Sequence, residues 1–182
     1  MADATAEPEA ADADDEITEP AEPVDLVHGA PRSWSRGQEV LHPTREQLLD
    51  VVRALRDDGY LQCLEVWGVD YLTHPGRTDL APGVTPERFE VVVALIDHHL
   101  RRRIRLRVQV PASEPTCPSL FSIHPGTEQP EREVYDLFGI EFEGHPGLVR
   151  ILMPDDWVGH PLRKDYATGE IPVQFKGASN VR

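Results

Sequence analysis

Residues Arg88 to Val110 read RFEVVVALIDHHLRRRIRLRVQV, and the fold turns on this stretch. Two runs rich in β-branched and long apolar side chains, Arg88 to Ile96 and Arg101 to Val110, flank the polar link Asp97-His98-His99-Leu100, the pattern of a β-hairpin. In the second run Arg101, Arg103, Arg105 and Arg107 alternate with Arg102, Ile104, Leu106 and Val108. Successive side chains of a strand point to opposite faces, so one face of this hairpin is expected to pack on a core.

Upstream, Pro43 precedes a Thr44-x-x-Gln47 capping box, and Leu48, Val51, Val52 and Leu55 recur at helical spacing up to Gly59. This predicts an amphipathic helix over Thr44 to Asp58 with Gly59 as its left-handed stop. Tyr60 to Trp67 and Val69 to Leu72 read as a strand or bent strand pair, with Gly68 as a candidate bulge. His74 to Thr85, carrying Pro75, Gly76, Pro82 and Gly83, reads as a loop. Downstream, Pro111 to Pro118 is expected to break the sheet. Glu131 to Phe138 is expected to form a second helix closed by Gly139, with Val134, Leu137 and Phe138 as its apolar positions. Adjacent strands with helices before and after them make an α+β fold: a small, mostly antiparallel sheet with flanking helices.

The ends differ from this middle. Met1 to Asp25 holds ten acidic residues and no Lys or Arg, and so carries most of the net charge of -14. It is rich in Ala and Pro and poor in large apolar side chains, so disorder is expected for an acidic leader over residues 1–30. A solvated spacer is the plain reading of it and an acidic docking peptide the alternative. The leader lacks the basic start and apolar stretch of a secretory signal. The longest apolar run, Val91 to Ile96, is far too short to span a bilayer.

After an α+β domain over residues 31–139, residues 140–182 show no sustained period, and Gly and Pro recur every few positions. Yet Phe142, Leu148, Ile151, Leu152, Met153 and Trp157 are large and apolar. A segment that cannot fold on itself but carries buried-type side chains is expected to extend over a partner protein.

The block from Glu131, Arg132, Glu133, Val134, Tyr135 and Asp136 through Leu137-Phe138-Gly139-Ile140 is dense with charge and aromatic groups. It continues through Gly144-His145-Pro146 and Arg150-Ile151-Leu152 to Gly159-His160-Pro161-Leu162-Arg163-Lys164-Asp165-Tyr166. This succession resembles the family of C subunits of complex I-type NADH:quinone oxidoreductases. The resemblance continues more weakly upstream to Pro43, and many relatives carry Trp where this chain has His124 and Gln129. It implies a non-catalytic subunit of the peripheral arm, bound to the D subunit near the quinone site, with the B and I subunits also nearby. It implies no cofactor in this chain, FMN and iron–sulfur clusters in partner subunits, and a peripheral place on the cytoplasmic face of the cell membrane. Homologues also occur in membrane-bound hydrogenase and other dehydrogenase complexes.

The residue types themselves point the same way. Gly144 and Gly159 permit turns, and the prolines after His145 and His160 bias those histidines toward extended backbone. Arg150, Trp157, Arg163 and Tyr166 are types that dominate interface energies, so Arg163→Ala or Trp157→Ala is expected to weaken assembly. Glu131, Arg132, Glu133, Tyr135, Asp136, Phe138, His145, His160, Lys164 and Asp165 complete the expected partner interface. Arg132 and Asp136 stand at ion-pair spacing on the helix.

Other functions find less support. Five of the eight histidines (His42, His74, His124, His145 and His160) immediately precede Pro, a backbone pattern unlike that of metal ligands. Cys63 and Cys117 cannot supply an iron–sulfur cluster that needs four thiolates. The Arg101 to Arg107 alternation suits phosphates, but this strand lacks the aromatic residues that stack bases. No phosphate-binding loop, dinucleotide fingerprint or nucleophile elbow occurs.

Overall fold

The computed structural model describes residues 24–167. Its six-stranded sheet runs in the order β1-β2-β3-β6-β5-β4. The strands are β1 (Leu26–Val27), β2 (Ala30–Ser35), β3 (Gln38–Leu41), β4 (Gln62–Asp70), β5 (Phe89–Asp97) and β6 (Arg102–Val110). Only β3 and β6 pair in parallel within it. Helix α1 (Leu48–Asp57) links β3 to β4, and α2 (Glu128–Phe138) follows a short 3-10 turn at Pro125–Thr127. Two short parallel strands, β7 (Thr116–Pro118) and β8 (Glu141–Glu143), bracket α2. The architecture is α+β with a mostly antiparallel sheet.

The hairpin read from residues 88–110 forms in the expected register, with Val91 opposite Val108 and Val93 opposite Leu106. Phe89, Val91, Val93 and Leu95 join Ile104, Leu106, Val108 and Val110 in one core with Leu48, Val51, Val52 and Leu55 of α1. Val134 and Phe138 of α2 belong to the same core, so both helices cover one face of the sheet. The helix starts at Leu48 and not at Thr44, and the expected Thr44–Gln47 bonds form in both directions within the turn that leads into it. The Gln47 amide N–H donates to Thr44 Oγ1 at 3.3 Å, and the Thr44 amide N–H to Gln47 Oε1 at 3.1 Å.

Four sequence expectations need correction. The sheet begins at Leu26, inside the stretch assigned to the acidic leader, and residues 1–23 lie outside the described chain. Its first three strands, β1 to β3, were not anticipated. Gly68 is not a bulge: it pairs regularly with Val91, and the irregularity falls between Cys63 and Glu65. What requires glycine there is close approach, because a Cβ at Gly68 would stand 2.7 Å from the Phe138 ring. Finally, Thr116–Pro118 does not merely break the sheet but forms β7 of a second one.

The arginine face of β6 is not a solvated stripe. Loop 71–86 folds over half of it and closes a buried ion network around Glu90, which is fully buried. Arg107 Nε donates to Glu90 Oε1 at 2.7 Å, and Arg107 Nη1 to Asp79 Oδ2 at 2.7 Å. Arg77 Nη1 and Gln109 Nε2 donate to Glu90 Oε2 at 3.1 and 2.6 Å. A buried carboxylate is tolerated when it is paired and hydrogen-bonded, and both oxygens of Glu90 accept from a guanidinium.

Candidate functional site

The last turn of α2 and the end of β4 each present a buried carboxylate, Asp136 and Asp70, to the chain that follows β8. Asp136 Oδ2 accepts the amide N–H groups of Ile151, Leu152 and Met153 at 3.0, 2.8 and 2.8 Å. Its Oδ1 accepts Arg150 Nη1 at 2.6 Å. Three successive amides on one oxygen make an anion-binding concavity, supplied here with an anion from the same chain. Burial by itself would raise this carboxyl. The Met153 amide, the Arg150 guanidinium and the Leu152 and Ile151 amides outweigh it and hold the group down at about 2.

Asp70 repeats the device further along. Its Oδ2 accepts the Lys164 amide at 2.8 Å and Arg88 Nη2 at 3.0 Å. Its Oδ1 accepts the Leu72 amide at 2.9 Å and Arg88 Nε at 3.1 Å. Arg88 Nη2 also reaches Asp165 Oδ1 at 2.8 Å, tying the segment back to the start of β5. Burial works against ionisation of Asp70, but the Arg88 guanidinium and the Lys164 and Leu72 amides keep it below the usual carboxylate range.

Between these two points the segment satisfies the carbonyls that the end of α2 leaves without partners. Arg163 Nε donates to the Phe138 carbonyl at 2.5 Å, and the Leu162 amide to the Leu137 carbonyl at 3.1 Å. His160 Nδ1 lies 2.9 Å from the Asp136 carbonyl oxygen, and Arg150 Nη1 donates to that same oxygen at 3.2 Å. Two arginines at a helix C-terminus meet both its orphan acceptors and its negative dipole end. The close approach requires Gly139, which sits at φ +69° and whose Cβ would stand 2.5 Å from both Arg163 Nη2 and His160 Nε2.

Most residues expected at a partner interface are therefore engaged within the chain. Glu131 is fully buried and accepts the Ser119 hydroxyl at 2.6 Å and the Leu120 amide at 2.8 Å; burial pushes its carboxyl up. The expected Arg132–Asp136 pair does not form: Arg132 donates to the carbonyls of Val149 and Arg150 at 3.1 and 3.0 Å. His145 Nε2 is 2.9 Å from the Glu128 carbonyl oxygen. Tyr135 meets His160 edge-on, Phe138 covers Gly68, and Tyr166 covers Gly159. Trp157 is half-buried, with Nε1 lacking an acceptor among the described residues. Glu133 remains exposed, as does Lys164 apart from its amide.

What the docked segment leaves outward is a different set: Val149, Leu152, Val158 and Leu162 are 57%, 56%, 86% and 47% exposed. Of these only Leu152 stood out in the sequence as buried-type. Their signal was the density of aliphatic side chains in a segment punctuated by Gly and Pro. Among the described residues no group of three or more His, Cys, Asp or Glu side chains could hold a metal ion. No helix among them is long and apolar enough to cross a membrane.

Residues 41–171 match the family model described as "Respiratory-chain NADH dehydrogenase, 30 Kd subunit". The chain belongs to that family. The match takes in the β5–β6 hairpin, both helices and both buried carboxylates, and it starts after β1 and β2. The C subunit of an NADH-quinone oxidoreductase from Saccharopolyspora erythraea is 47% identical over 146 residues, which are 79% of this chain and 55% of the relative. The protein of the same name from Mycolicibacterium gilvum is 45% identical over 168 residues, 91% of this chain and 66% of the relative. This 30 Kd subunit family member thus spans little more than half the length of several curated relatives. Among solved structures, the trypsin-resistant fragment (1-134) of Nqo5 is similar at 33% identity and a TM-score of 0.57, over 66% of this chain and 90% of that one. A chain of an archaeal membrane-bound sulfane sulfur reductase, a respiratory membrane complex, shares the fold at a TM-score of 0.58 and 20% identity. It covers 84% of this chain and 90% of its own.

Proposed function

We propose that this 30 Kd subunit family member is a non-catalytic structural subunit in the peripheral arm of a proton-translocating NADH:quinone oxidoreductase. It braces the D subunit near the quinone site, with the B and I subunits as further neighbours. Electrons pass from NADH through FMN and iron–sulfur clusters of partner subunits to quinone, and this chain takes no redox step. It sits at the cytoplasmic face of the cell membrane through the complex rather than through a span of its own.

The observation that carries this reading is the division of labour within residues 149–165. Buried carboxylates and arginines hold the segment in place, while Val149, Leu152, Val158 and Leu162 stay exposed. Exposed aliphatic side chains on a pinned segment suit a preorganised docking surface, because little conformational entropy remains to be lost on binding. The names of the relatives support the quinone-reducing complex as its setting.

The test is a double substitution, Leu152→Asp with Val158→Asp, in the full chain expressed where the complex assembles. Both side chains are exposed, so the melting transition stays as in the wild type, and pull-down through the tagged chain loses the D subunit. Recovery of that subunit in normal amounts overturns the reading. The proteins recovered with the wild-type chain also separate this complex from a related membrane-bound hydrogenase or dehydrogenase assembly.

A further inference from the structure

The corner of the sheet that loop 71–86 leaves uncovered carries four arginines in search of carboxylates. Arg103 and Arg105 stand opposite Ile96 and Ala94 on the face away from the helices. Arg105 Nη2 donates to the carbonyl of Ser35 at 3.3 Å, which brings the β2–β3 turn and Arg36 alongside. Arg101 lies in the turn that enters β6. Arg36, Arg101 and Arg103 are exposed. None of the four meets a carboxylate among the described residues, and Arg105 Nε is buried without an acceptor. By contrast, Arg107 on the same strand and face is fully paired under the loop.

The chain holds a matching surplus of the opposite sign. Residues 1–23 contain nine carboxylates, from Asp3 to Glu22, and no Lys or Arg. They join the described structure at Val24, just before β1 on the edge of the same sheet, three strands from β6. Three strand spacings are about 14 Å. Ten residues of extended chain reach more than about 30 Å, so most of these carboxylates can reach the corner. Attachment in cis gives them a high effective concentration there.

We propose that the acidic N-terminal segment folds back over the corner formed by Arg36, Arg101, Arg103 and Arg105 and shields it from other anionic partners. The contact is electrostatic and many-sided, so salt releases it. It also answers what the leader is for: it offsets the charge of an arginine face that the fold leaves half covered.

The test follows the rate at which phenylglyoxal modifies each arginine, resolved by peptide mass spectrometry, in the full chain. The comparison is a variant with every Asp→Asn and Glu→Gln change within residues 1–23, which leaves the described fold untouched. At low salt, Arg36, Arg101 and Arg103 react roughly two- to fivefold more slowly in the wild type, the protection expected of exposed ion pairs. High salt removes the difference, and Arg53 on α1 reacts equally in both chains. Equal rates at the corner overturn the proposal. Protection that grows with protein concentration also overturns it, assigning the contact to the leader of a second copy. Protection that appears only with partner proteins overturns it in favour of a partner's acidic surface.

Discussion

Asp136→Asn should release the segment that follows β8 without unfolding the sheet. The carboxylate is fully buried and accepts three amide N–H groups through one oxygen and Arg150 through the other. An amide keeps one acceptor oxygen and puts an NH2 donor in place of the other, so either the three amides or the guanidinium must face a donor. The depression from 3.8 to about 2 amounts to about 2 kcal/mol of preference for the ionised form. Leaving buried donors unpaired adds about 1–3 kcal/mol. The combined effect is about 3–5 kcal/mol, which is a hundredfold or more, in order of magnitude, in the opening equilibrium of this segment.

Amide hydrogen exchange reads that number directly. In the variant the amides of Ile151, Leu152 and Met153 exchange faster by about a hundredfold or more, while those of β5 and β6 keep their protection. The folded pKa lies below the unfolded one, so the ionised latch contributes its full stability above about pH 4 and loses it as pH falls through about 2. Lowering the pH of the wild type through this window should reproduce the variant. Exchange at residues 151–153 as slow in the variant as in the wild type would refute the account of a carboxylate latch.

Three further outcomes follow from other sites. Glu90→Leu leaves buried Arg77 beside no carboxylate and Arg107 with Asp79 alone, at a cost of about 3–5 kcal/mol in denaturant unfolding, and a midpoint unchanged from wild type would remove the network's claim to importance. Gly139→Ala places a Cβ 2.5 Å from Arg163 Nη2 at a φ of +69°, so a loss of about 1–2 kcal/mol is expected together with earlier proteolysis after β8; wild-type stability would contradict the close approach. Burial, reinforced by Arg107, pushes buried His42 down to about 4 from 6.5, so it remains neutral in the fold. The unfolded chain takes up this proton first, so stability is full above about pH 6.5 and declines as pH falls toward 4. His42→Gln should flatten that stretch of the stability–pH curve, and an unaltered slope would show that another group titrates there.

The parts of the fold legible in the sequence were those whose bonds are local or whose pattern repeats. The Arg88–Val110 hairpin announced itself by alternation, α1 by a capping box and four apolar positions, and the end of α2 by Gly139. Strands β1 to β3 escaped because their composition is polar and their turns are disguised. His28-Gly29 and Arg36-Gly37 are two-residue turns with φ positive at both positions, at +50°, +80°, +50° and +76°. Asn or Asp would have advertised such turns; His and Arg do not. Gly68 looked like a bulge because the sequence cannot display the ring of Phe138, 70 positions later, that needs its missing side chain. The segment after β8 showed no period because its amides bond to side chains instead of to a ladder. Ile151 bonds to Asp136, 15 residues away, and Lys164 to Asp70, 94 residues away.

That last point changes how interface-type chemistry should be read in such a segment. Arginine, tyrosine and buried aspartate favour protein–protein contacts because they combine contact area with directional bonds, and the same properties fasten a periodless chain to its own body. Residue type alone cannot separate the two uses; exposure can. Arg150, Arg163 and Asp136 hold the segment down, whereas Val158 at 86% exposure and Leu152 at 56% lie outward. Had the arginines faced a partner instead, the segment would have had to order itself on binding, at a cost that grows with every residue immobilised. On the proposed reading, internal polar bonds bear that cost during folding, and the outward aliphatic surface is left to supply the affinity.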